Sequence, residues 1–135
     1  MNEAVISERL LDQRLRNRII ESLDWIADTE TGFEFGAGEW FNQFFDHYDG
    51  RTLKPFANSA MTEEERSAFL AVHELMEAAA AATPGNVTEG QLKASGWLDR
   101  IIPAARAALM LMNARGRFSE DIEEVSPTVH PAGEP

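Results

Sequence analysis

The sequence predicts an all-α, single-domain bundle of four main helices, or five if the last one breaks near Pro103. Three observations carry this. Apolar residues recur at three- and four-residue steps through most of the chain. Two threonines stand three residues before a Glu or Gln that can close a capping box. Glycine- and proline-bearing runs separate the periodic segments. At 135 residues and 44% hydrophobic content the chain can bury one core without disulfides, and it has no cysteine to form them.

The first helix is expected over about Ser7 to Asp28, with Leu11, Leu15, Ile19, Leu23 and Ile26 on one stripe. Asp12 and Arg16, and Arg18 and Glu21, are spaced to pair along its flank, which makes "RLRNR" a solvated, partly paired face. "TETGFEFGAG" then interrupts the helix.

"EWFNQFFDHYDG" raises a choice between helix and hairpin, because Asp49-Gly50 is a favoured hairpin turn. On a helical wheel Trp40, Phe41, Phe44, Phe45 and Tyr48 occupy one continuous arc of roughly 140°. On a strand Phe44 and Phe45 would face opposite sides. A helix of about ten residues follows, ended by Gly50.

After a connection containing Pro55, Thr62 and Glu65 form a capping box that opens a helix to about Ala82. Its buried face is Phe69, Val72, Met76 and Ala79/Ala80, and the alanines at 78–82 suit close approach of another helix. Thr83-Pro84-Gly85-Asn86 stops it. The last helical region spans roughly Thr88 to Ala114, with Gln91 completing a second capping box and a break or kink expected near Pro103. Trp97, Ile101, Ala105, Leu109 and Met112 mark its core side. The bundle domain is placed at 1–118. Residues 119–135, acidic and nearly free of large apolar side chains, read as a flexible tail.

Charge excludes some functions. The net charge is −11, so nucleic-acid backbone would be repelled, and no apolar run is long enough to span a membrane. The segment 19–50 holds eight acids and no Lys or Arg, while arginines gather at 9–18 and 100–117. That segregation fits a small cytoplasmic, bacterial-type interaction or regulatory module whose acidic surface docks a basic protein partner. Glu30, Glu34, Glu39 and Asp46 are the expected contact residues. The alanine run and "ALMLM" also offer surface for a helix-pairing homodimer.

An enzyme is the less favoured reading. There is no P-loop, no G-x-S-x-G elbow and no Ser/His/Asp set, so no catalytic residue is assigned and no cofactor is required. The alternative is a metal- or ligand-binding bundle. His73 points inward between Phe69 and Met76, with Glu77 four residues on, and a divalent transition metal held there would draw further ligands from His47 and Asp46. "HELME" lacks the second histidine of the zinc-helix pattern, and neither histidine has an acid three residues before it. A core histidine bonded to Glu77 or to a backbone carbonyl is the favoured assignment for His73.

Overall fold

The computed structural model describes residues 7–29, 33, 36–47 and 58–128, with backbone alone at 46 and 47. Five helices are described, in the order α1 (Glu8–Ala27), α2 (Ala37–His47), α3 (Glu63–Ala82), α4 (Glu89–Ala94) and α5 (Trp97–Arg115). No strand occurs among the described residues, and the fold is all-α. Helix α5 is the hub, packing against α1, α3 and α4, while α2 lies on α1.

Helix ends follow local chemistry. Ser7 Oγ accepts the Leu10 amide at 3.0 Å and caps α1. Both capping boxes close. Thr62 and Glu65 exchange hydrogen bonds at the start of α3, and Thr88 and Gln91 do so at the start of α4. Such caps satisfy amides that have no partner inside the helix.

The break in the last helical region falls at Gly96, not near Pro103. Gly96 has φ +88°, in the left-handed region, and separates α4 from α5. Pro103 sits inside a continuous α5. It is exposed, so the Asp99 carbonyl that loses its amide partner lies on the solvent side of the helix.

The core joins all five helices. Leu15, Ile19, Leu23 and Ile26 of α1 meet Trp40, Phe41 and Phe44 of α2, Phe69, Val72, Met76 and Ala79 of α3, Leu92 of α4, and Leu98, Ile101, Ala105, Ala108 and Met112 of α5. Phe33, from the loop before α2, stacks edge-on against Trp40 with ring centroids 5.2 Å apart. The rings at 40, 41, 44 and 45 thus have a packing role, each ring contact adding to plain area burial. Tyr48 lies outside the described residues.

Helix α1 departs from its expected solvated flank. Leu11 is exposed, and the apolar stripe begins only at Leu15. In the first turns the buried arc is polar: Asp12, Gln13, Arg16 and Asn17 are all buried. Arg16 does not pair with Asp12. It forms a two-pronged bridge to Glu65, Nε to Oε1 at 3.1 Å and Nη2 to Oε2 at 2.9 Å. It also donates to the carbonyls of Met112 at 3.0 Å and Gly116 at 2.6 Å. Asp12 instead accepts the amide and hydroxyl of Ser59. Arg18 pairs with Glu21 as expected, at 2.9 Å, and with Glu120 at 3.0 Å.

The same polar arc holds the chain after α5. The Gln13 amide donates to the carbonyls of Ser119 and Ile122 and accepts the Glu124 amide. Asn17 exchanges bonds with the Phe118 backbone, Arg14 donates to the Glu120 carbonyl, and Arg9 donates to the carbonyls of Glu124 and Val125. Composition places 119–135 in a flexible tail, yet residues 119–125 lie hydrogen-bonded along α1. A segment poor in apolar side chains can be held when its backbone groups find buried partners. Residues 129–135 lie outside the described residues.

Two outcomes follow from these placements. Gly96→Ala should lower stability by about 1–2 kcal/mol, because its added Cβ meets open space and the cost is backbone strain alone. Arg16→Ala should lower stability by roughly 3–5 kcal/mol, because it strips the two-pronged partner from a buried carboxylate. Urea denaturation followed by circular dichroism measures both.

Candidate functional site

The base-free span and the histidines select two regions, the α2–α3 contact and the outward face of α3. His73 lies in the first. Its ring sits 5.9 Å from Phe44, 6.2 Å from Phe45 and 6.4 Å from Phe69, centroid to centroid. Its side chain is 15% exposed. Nδ1 is 3.6 Å from Glu77 Oε1, an attraction that acts only on the protonated ring. Burial among the three phenylalanines holds its pKa below the ordinary 6.5, with Glu77 and then Glu74 pulling weakly the other way. The neutral ring is therefore the favoured form near pH 7.

Of the four metal-ligand candidates, His73 and Glu77 share one face of α3, and the side chains of His47 and Asp46 lie outside the described residues. Among the described residues no group of three or more His, Asp and Glu side chains converges in a way that could hold a metal ion. Arg66 turns away from His73 and donates to the Met61 carbonyl at 2.8 Å.

The acidic candidates divide similarly. Glu39 stands half-buried in the first turn of α2 and accepts from Gln43 at 2.9 Å. Glu30 and Glu34 lie outside the described residues, as does the Asp46 side chain. Sequence reasoning passed over the outward stripe of α3. Glu63, Glu74 and Glu77 are all exposed and fall within roughly 60° on the helical wheel. Their spacing of eleven and three residues is the signal in the sequence, and it lies on the same helix as a stronger apolar periodicity.

The basic residues are arranged in the opposite sense. Arg9, Arg14, Arg16, Arg18, Arg66, Arg115 and Arg117 all donate to carbonyls or carboxylates of the fold. Lys93, Arg100 and Arg106 are exposed and belong to α4 and α5. Lys93 pairs with Glu89 at 2.8 Å, and Arg100 lies 5.0 Å over the Trp97 ring. Among the described residues no lysine or arginine pairs with Glu63, Glu74 or Glu77, and Arg51 and Lys54 lie outside the described residues.

The pH response of His73 can be read directly. Its folded pKa is depressed, so stability is full above 6.5 and is lost as pH falls through 6.5 toward the folded value, where a charge must enter the aromatic contact. His73→Phe removes that penalty. The stability of wild type relative to His73→Phe, from urea melts, should fall steadily between pH 7.5 and pH 5. Compared with protein-family models, curated proteins and solved structures, the chain finds no match.

Proposed function

We propose that this protein is an acidic helical interaction module that docks a basic partner protein along the outward stripe of α3. The observation that carries the reading is the sorting of charge. The net charge is −11, and seven arginines are engaged in holding the fold while Glu63, Glu64, Glu74 and Glu77 face solvent. A negative surface of this kind raises encounter rates with a cationic partner and orients its approach. The α3 helix is rigidly seated by its capping box and by Glu65, so the carboxylates project from a fixed scaffold. Glu39 on α2 extends the acidic character beyond α3.

A lysine- and arginine-rich peptide serves as the probe. Fluorescence anisotropy should show binding at about 20 mM salt that weakens by roughly tenfold or more at about 150 mM. The triple variant Glu63→Gln/Glu74→Gln/Glu77→Gln should lose most of that affinity while keeping its helical circular dichroism, since all three side chains are exposed. Absence of binding at low salt, or equal binding by the triple variant, counts against this surface.

A further inference from the structure

A cavity without charged walls lies at the end of α3 opposite its capping box. It measures about 470 Å³ and is framed by Thr83 after α3, by the loop at 84–88, by Leu92 of α4 and by Trp97 of α5. A second cavity, of about 320 Å³, shares Thr83, Pro84 and Val87 with it and includes Phe41 of α2 in its wall. The walls are set before any ligand arrives. Val87 donates to the Pro84 carbonyl at 3.1 Å, and the Thr88–Gln91 capping box fixes the start of α4. Leu92 is fully buried, and Arg100 lies 5.0 Å over the Trp97 ring.

Charge decides what can enter. Charged residues make up 26% of the chain, yet none of the described residues lining either cavity is one of them. The charged side chains of α4, Glu89 and Lys93, pair with each other at 2.8 Å and do not line the cavity. A charged ligand would therefore leave water without finding a counter-charge. An uncharged one carries no such cost.

Several polar side chains of the wall are already engaged. Thr88 and Gln91 bond each other's backbone, and the Ser95 hydroxyl donates to the Leu92 carbonyl at 2.6 Å. Three groups keep their capacity: the Thr83 hydroxyl, the Asn86 amide and the Trp97 indole N–H bond no atom of the described residues. An apolar wall of Pro84, Val87, Leu92 and Trp97 with a few polar groups is the usual make-up of a small-molecule site, and the volume is in the usual range. Asn86 offers a donor and an acceptor side by side, which another amide satisfies at once and without charge. We propose that this cavity binds an uncharged aromatic amide, its ring against Val87, Leu92 and the Trp97 indole and its amide bonded to Asn86. Binding here is independent of the acidic stripe on α3 and of the partner assigned to it.

Benzamide, benzamidinium and benzoate are probes of nearly one shape that are neutral, cationic and anionic. Each is titrated into the isotope-labelled full chain at constant ionic strength and followed by heteronuclear NMR. Benzamide should give saturable shifts of the Trp97 indole N–H and of the Asn86 side-chain amide. The other two indoles should stay still, since Trp25 Nε1 donates to the Trp40 carbonyl and Trp40 is buried. Both charged probes should bind about tenfold more weakly or worse. Asn86→Ala removes an exposed side chain that holds nothing in the fold, so benzamide affinity should fall about fivefold with the rest of the spectrum unchanged. The site is overturned if benzamide gives no saturable shift, or if either charged probe binds as tightly. It is equally overturned if Asn86→Ala leaves the affinity unchanged.

Discussion

The buried bridge between Arg16 and Glu65 is the contact on which the arrangement of α1, α3 and α5 depends. Arg16 comes from the middle of α1. Glu65 belongs to the first turn of α3, and the carbonyls of Met112 and Gly116 that Arg16 also holds lie at the end of α5. A cation at a helix C-terminus and a carboxylate at a helix N-terminus each suit the local dipole. One pair of side chains therefore satisfies two helix ends and ties both to a third helix. Glu65 does more still, since its Oε1 also accepts the Thr62 amide of the capping box and Arg115. Burial pushes its pKa up, but the hydrogen bonds and charge of Arg16, the bond from Arg115 and the Thr62 amide outweigh this and hold it below 4.5. The carboxylate stays ionised near neutral pH.

That constraint organises the rest. A buried guanidinium must be surrounded by acceptors, and the polar arc of α1 extends the same logic to its neighbours. Gln13 and Asn17 hold the backbone at 118–124, Asp12 holds Ser59, and Phe118 closes the cluster beneath three guanidinium groups. One end of the bundle is thus a polar, hydrogen-bonded assembly. The other is an aromatic core around Trp40, Phe44 and Phe69. The arginines of α1 are drawn into this network, and among the described residues Glu63, Glu74 and Glu77 face solvent with no lysine or arginine paired to them.

Much of the fold was legible because it depends on short-range chemistry. The two capping boxes, the stripe from Leu15 to Ile26, the aromatic arc from Trp40 to Phe45 and the stop at Thr83 are properties of spacing and residue type. Residue type alone points the break to Pro103, because proline is the stronger breaker on average. Here Gly96 takes the left-handed φ that ends one helix and begins the next, while exposed Pro103 is accommodated within α5. Of the candidate sites, the inward position of His73 beside Phe69 was readable from periodicity, and its contact with Phe44 and Phe45 from α2 was not. The α3 stripe was readable and overlooked.

The sequence by itself determined where helices start, which faces of α2, α3 and α5 are apolar, and that the chain carries a large acid excess. These follow from contacts within a few residues and from composition. Only the tertiary structure decided what the arginines do. "RLRNR" looks like a solvated flank because i,i+4 spacing offers Asp12 as a partner for Arg16. The partner chosen lies 49 residues away, and the carbonyls that complete its coordination lie 96 and 100 residues away. No local pattern encodes such a pairing. It exists because packing α3 and α5 against α1 brings a helix start and a helix end to one point, where a buried fork of donors meets a carboxylate and the carbonyls of Met112 and Gly116.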